Sequence, residues 1–237
     1  MAHNPERLSR LRAAMREQGI DVLYIRGLSN ISWATGFERV FDDEPAHALV
    51  VSAHSCMLHT DSRYYFDAME SAAADTDIEV DNGRMAHSAV LAKVSDSVGG
   101  GNVRVGIEDS MPLAEFRALQ RTFEGRAADL VELSGFVETL RQGKDDSEIA
   151  AMRKAQSITD AAFAKIIAFM KPGMTEREVQ LQLDRYMYEG GAEGLAFGTI
   201  VTTGAHAASP HAIPGETKLA LGDAVVMDFG ARYAGYC

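Results

Sequence analysis

The stretch Gly204-AHAASPHAIPGETKLALGDAVVMDFGARYAGY-Cys237 decides how this chain is read. His211 stands between Pro210 and Pro214, and a single acid, Asp228, follows Val225-Val226-Met227 and precedes Phe229-Gly230. Each proline locks its own φ, so the imidazole of His211 is presented on a stiff support. The segment 224–230 reads as a strand that is apolar on both faces, with its acid buried. A buried carboxylate is costly unless it is paired or holds a cation. The plain alternatives are an aspartate that turns the chain at a strand end with Gly230, and a solvated loop histidine.

Working outward, strands are expected around Phe197, Ile200 and Val201, just before the loop. Thr175 and Glu178 have the spacing of a capping box, and the helix they open buries Val179, Leu183 and Tyr186 before Gly190-Gly191 closes it. From Asp146 a long helix carries Ile149, Met152, Ala155, Ala162, Phe163, Ile166 and Met170, and Lys171-Pro172-Gly173 ends it. Upstream of Ser134 strands and helices alternate. Leu8, Leu11 and Met15 mark one helix face, closed by Gly19. Strands follow at Val22–Ile25, 48–51 and Cys56–His59, with a turn around Ala53. Asp61 is a candidate cap for a helix through Tyr65 and Met69, and 78–80 is a short strand. Leu91, Val94 and Val98 lie on a helix stopped by Gly99-Gly100-Gly101. Strands at 103–107 and 130–133 flank a helix with Phe116 and Leu119. The alternation describes an α/β domain over 1–134, followed by a second domain over 135–237.

In their order, these features resemble the pita-bread metallopeptidases: Xaa-Pro dipeptidases (prolidases), aminopeptidase P, creatinase and methionine aminopeptidase. In that family a proline-histidine pair precedes a glycine-aspartate turn. A strand then carries the first metal-binding aspartate, followed by Gly-Tyr and a second aspartate. Here those features read Pro210-His211, Gly222-Asp223, Asp228 and Gly235-Tyr236. LSRLRAAMREQGIDVLYI from Leu8, NISWATGF from Asn30 and TDSRYY from Thr60 resemble the creatinase-type N-terminal domain. LRQGKDDSEIAAMRKA from Leu140 resembles the lead into the catalytic domain.

The resemblance implies an α/β N-terminal domain followed by the first half of an α+β pita-bread (creatinase/aminopeptidase) domain. It implies hydrolysis of Xaa-Pro bonds in proline-containing peptides, using two divalent metal ions (Mn, Co or Zn) held by two aspartates, one histidine and two glutamates. Of that set Asp228 alone falls here; the other ligands are expected beyond Cys237, so the chain is read as an N-terminal fragment that is inactive alone. His211 is then an active-site group that meets the substrate or the developing tetrahedral centre, not a ligand; the resemblance assigns His206 no role, and it is expected to be structural or exposed. A homodimer is expected, with Trp33 and Phe37 in the core or at an interface. The alternatives are a creatinase-like hydrolase acting on non-peptides, and a pita-bread domain that serves only as an interaction module.

Composition narrows the classes. A net charge of -11 argues against a nucleic-acid surface, which needs a basic stripe. No apolar run reaches the ~18 residues of a membrane span. No apolar signal core follows the early arginines, so a cytoplasmic protein is expected. Cys56 and Cys237 make neither a disulfide framework nor a CxxC site. Asp228-Phe229-Gly230 also spells a kinase tripeptide, but no glycine-rich loop, strand lysine or HRD motif accompanies it. Gly99-Gly100-Gly101 is a simple loop without a P-loop lysine. Asp42-Asp43-Glu44 is expected to be a solvated acidic loop. No GxSxG elbow is present.

Overall fold

The structure is a computed structural model that describes residues 5–37, 39–42, 44–73, 77–99 and 101–237. Asp43 and Gly100, singled out above, lie outside the described residues. The chain divides into two compact units, Met1–Lys144 and Asp145–Cys237.

The first unit is built on a six-stranded sheet of β1 (Val22–Ile25), β2 (Ala48–Ser52), β3 (Cys56–His59), β4 (Ile78–Asp81), β5 (Val103–Glu108) and β6 (Ala128–Leu133), in the order β4-β3-β2-β1-β5-β6. β2 is antiparallel to both β1 and β3, and the other pairs are parallel. β1 and β2 are buried along their whole length, as continuous apolar runs require when both sheet faces are covered. Alternation sorts the side chains. Leu23, Ile25, Leu49 and Val51 share a core with α1 (Pro5–Gln18), α2 (Leu28–Thr35) and α6 (Phe136–Gln142). Val22, Tyr24, Ala48 and Val50 face α4 (His87–Val98) and α5 (Leu113–Phe123). Trp33 and Phe37 belong to the first of these cores.

A buried acid joins the strands to α2 and α6. The Glu108 carboxylate accepts from the backbone N–H of Arg26 at 2.6 Å and of Gly27 at 2.7 Å, and from the Asn30 amide at 2.7 Å. Asn30 also donates to Glu138 at 2.6 Å, and its oxygen accepts from Arg141 at 2.6 Å. The division into units therefore falls after α6 and not at Ser134: Phe136 and Val137 pack in the first core, and Glu138 and Arg141 bond Asn30.

In the first unit one local cap expectation differs from the structure. Asp61 does not cap α3 (Tyr65–Ala72), which starts from Tyr64 without a side-chain cap; its carboxylate accepts from the backbone and guanidinium of Arg63 instead. Asp42 and Glu44 are exposed, as expected, and Asp42 also accepts from the Tyr64 hydroxyl at 2.7 Å. Leu91 and Val94 are buried on α4, but Val98 at its last turn is 39% exposed, just before Gly99 turns away at φ 68°.

In the second unit α7 (Asp146–Phe169) and α8 (Glu176–Glu189) each begin with a complete capping box, Asp145 with Glu148 and Thr175 with Glu178. Ile158, Ala162 and Ile166 of α7 share a core with Val179, Leu183 and Met187 of α8. Tyr186 is only half-buried, because Met187 takes the inward position. Ile149 and Phe163 lie outside the buried stripe, and Phe163 stacks on Phe229 at 6.1 Å. Two short antiparallel pairs complete the unit: β7 (Gly194–Leu195) with β10 (Ala231–Arg232), and β8 (Ile200–Thr203) with β9 (Val225–Asp228). Phe197 follows β7 outside any strand and is exposed. Among the described residues no helix is long and apolar enough to cross a membrane.

Replacing Asn30 by alanine leaves Glu108 short of one donor inside the protein and frees Glu138 and Arg141. The expected cost is about 3 kcal/mol, read as a lowered urea midpoint for the first unit. A loss below about 0.5 kcal/mol, the level of an ordinary surface substitution, would show that the network does not hold α6 in place.

Candidate functional site

Between β8 and β9 the chain makes the loop that carries both histidines. It leaves β8 through a 3-10 turn, Gly204–Ala208, and Pro210, His211 and Pro214 follow. Its return is fixed by a turn in which Asp223 accepts from Ala220 N at 3.0 Å and from the Thr203 hydroxyl at 3.2 Å. Gly222, at φ 90°, supplies the left-handed backbone for that turn. The Gly222-Asp223 pair is thus a structural device that brings the start of β9 beside the end of β8.

One carboxylate grips this loop from below. Glu176, the first residue of α8, is fully buried. It accepts from Thr203 N at 2.9 Å, from Gly215 N at 3.1 Å and from Nδ1 of His206 at 2.9 Å. Burial by itself pushes the Glu176 carboxyl upward; the bonds from His206, Thr203 and Gly215 outweigh it and hold the group below its ordinary value. Sequence reasoning missed Glu176, because a glutamate in the first turn of a capped helix looks like ordinary N-terminal charge. Only the loop that folds over it marks it.

His211 is exposed on the loop, while its neighbours Ala212 and Pro214 are buried. That arrangement presents the imidazole outward from an anchored arc. Asp228 ends β9, opposite Ile200. Contrary to expectation it is exposed, and so is Val226, 43% open on the same face. The apolar residues around Asp228 do not enclose it: Val225 and Met227 turn inward to the helices, and among the described residues β9 pairs only with β8. Tyr236 of the Gly-Tyr pair donates to Glu148 at the start of α7, at 2.7 Å.

Among the described residues no group of three or more His, Cys, Asp or Glu side chains is placed to hold a metal ion. The Asp228 carboxylate has the right donor chemistry for a hard divalent ion, but one carboxylate does not make a site. Burial also raises the Asp184 carboxyl in this unit.

The depressed Glu176 carboxyl has a consequence for acid stability. A carboxylate lowered on folding stabilises the protein fully above its unfolded value, here 4.5, and that contribution is lost as pH falls through the folded value. Urea titrations from about pH 7 down to about pH 3 should therefore show a steep acid loss in the natural protein. In Glu176→Gln the protein should be weaker at neutral pH, because an amide turns a donor toward donors, and the acid loss should be shallower. Equal slopes in both proteins would remove Glu176 from the account.

Known proteins share this fold. Residues 7–142 match the Creatinase/Prolidase N-terminal domain, and residues 150–237 match Metallopeptidase family M24. The uncharacterized peptidase YqhT of Bacillus subtilis is 32% identical over 98% of this chain and 62% of its own length. Among solved structures, the Xaa-Pro dipeptidase from Bacillus anthracis superposes with a TM-score of 0.85 at 31% identity, over 98% of this chain and 62% of that one. The X-Pro aminopeptidase from Thermotoga maritima gives 0.78 at 28% identity, over 94% and 61%. The chain spans about 62% of the length of YqhT and of the Bacillus anthracis dipeptidase. Its first unit is the creatinase-like domain and its second is part of the M24 domain: this chain belongs to the creatinase/prolidase family of M24 metallopeptidases.

Proposed function

We propose that the full-length protein is an Xaa-Pro peptidase, a metal-dependent hydrolase that cuts the bond before proline in dipeptides or at peptide N-termini. The observation that carries this reading is the β8–β9 hairpin with its anchored loop, which presents His211 and Asp228 outward within a chain similar throughout to an Xaa-Pro dipeptidase. An Xaa-Pro bond is a tertiary amide without an N–H, so its recognition has to come from the carbonyl side and from the proline ring. His211 is the loop group available to hydrogen-bond that carbonyl as charge develops on its oxygen. Asp228 serves as one metal ligand. Divalent ions such as Mn, Co or Zn need further ligands beside it, and residues 1–237 alone are accordingly expected to be inactive. With this reading go residence in the cytoplasm and assembly as a homodimer, the latter checked by light scattering on the full-length protein.

Full-length protein supplied with Mn or Co should cleave Ala-Pro, and both EDTA and Asp228→Ala should abolish turnover. Undiminished cleavage in chelator, or by the Asp228→Ala protein, removes the metal-dependent mechanism. Metal bound with no cleavage of any Xaa-Pro peptide favours a non-peptide substrate or an interaction module.

His211→Ala should lower kcat by the equivalent of about 2.7–4 kcal/mol, with bound metal unchanged. Metal analysis run beside the kinetics decides the point: metal lost in step with activity places His211 on the ions instead of the substrate.

A further inference from the structure

The loop between Thr203 and Gly215 is held at its entrance, in its 3-10 turn and at its exit, and all of these anchors end on the same carboxylate. Thr203 N bonds Glu176 Oε1 at 2.9 Å, and Gly215 N bonds Oε2 at 3.1 Å. Between them the His206 ring sets Nδ1 2.9 Å from each oxygen. A carboxylate only accepts, so Nδ1 of His206 carries a proton and donates it to Glu176. The ring is planar and stiff, and it bridges both oxygens at once. The span from residue 207 to residue 214, with His211 near its middle, therefore hangs from fixed ends. Pro210 and Pro214 restrict the span further, and the backbone bond from Ala212 N to Ser209 O tightens its crest.

We infer that His206, held by the buried carboxylate of Glu176, is the positioning residue for His211. Its donated bond keeps the loop in the one conformation that presents the His211 imidazole to substrate. The half of this that concerns substrate rests on the function proposed above; the half that concerns the loop does not. His206 acts through the backbone, not on the reacting atoms. Any side chain that donates from the same place should do part of its work, and one that cannot donate should release the turn while Thr203 and Gly215 stay bonded.

The test uses full-length protein and two readouts. Peptide-level hydrogen exchange reports the loop, and steady-state kinetics on Ala-Pro report its consequence. In His206→Ala, exchange in the peptide spanning 203–216 should quicken about ten-fold, with α7 and β9 unchanged. In the same variant kcat should fall about ten-fold or more, with KM and bound metal as in the natural protein. His206→Gln, which keeps a donor, should recover most of both. Unchanged exchange in His206→Ala overturns the clamp. Quickened exchange with an unchanged kcat overturns its link to His211, and so does a loss of bound metal. If the natural protein cleaves no Xaa-Pro peptide, the functional reading fails, and the exchange data still decide the clamp. If His206→Ala does not fold, the natural protein labelled with 15N-histidine decides it: His206 must show its ring proton on Nδ1, and a proton on Nε2 alone would overturn the proposal.

Discussion

The loop that presents His211 depends on a carboxylate buried beneath it. Glu176 has no exposed surface, and an ion in that position is tolerable only because backbone and imidazole donors surround it. The dependence runs both ways. The donors need an acceptor, because Gly204 N bonds Ala224 O across to the β9 side and the alternation of an antiparallel pair turns Thr203 N away from β9. The acceptor gains from its helix, because the dipole of α8 favours negative charge at its first turn, where Thr217, Gly215 and Thr175 already take the N–H groups. One residue at the start of α8 thus couples the helix, the hairpin and the loop.

The first unit uses the same device for a different purpose. Glu108 is also a buried acid satisfied by two backbone N–H groups and one side-chain donor, and there the result is the closure of α2 and α6 onto the sheet. Both acids sit where the chain leaves regular structure and unpaired N–H groups collect, at the turn into α2 and at the end of β8. Removing either acid costs more than its own bonds, since the backbone donors left behind lose their acceptor, Thr203 N in a buried residue and the others in half-buried ones.

Asp228 carries the main correction to the sequence reading. Apolar neighbours on both sides suggest burial, yet the strand places Val226 and Asp228 on its open face. Inward-facing Val225 and Met227 satisfy the core, and nothing among the described residues covers the other side. The order of the motif along the chain, with Pro210-His211 before Gly222-Asp223 and Asp228, identifies the family; it does not report the depth of any one residue. Asp61 teaches the same lesson on a smaller scale. Its type and place suit a cap, but the nearby Arg63 claims its carboxylate first.

By itself the sequence determined the alternation of strands and helices, the Thr175–Glu178 capping box, the two-domain plan and the family. These depend on local spacing: apolar period, cap chemistry and motif order are written within a few residues of one another. The tertiary structure alone decided where the first unit closes, how exposed Asp228 is, and what Glu176 and His206 do. Glu176 and His206 lie thirty positions apart, and Asn30 and Arg141 are separated by 111. No local period links such residues. Their bonds exist because packed helices and paired strands bring distant backbone donors to acids that have no water to turn to, and only folding creates that condition.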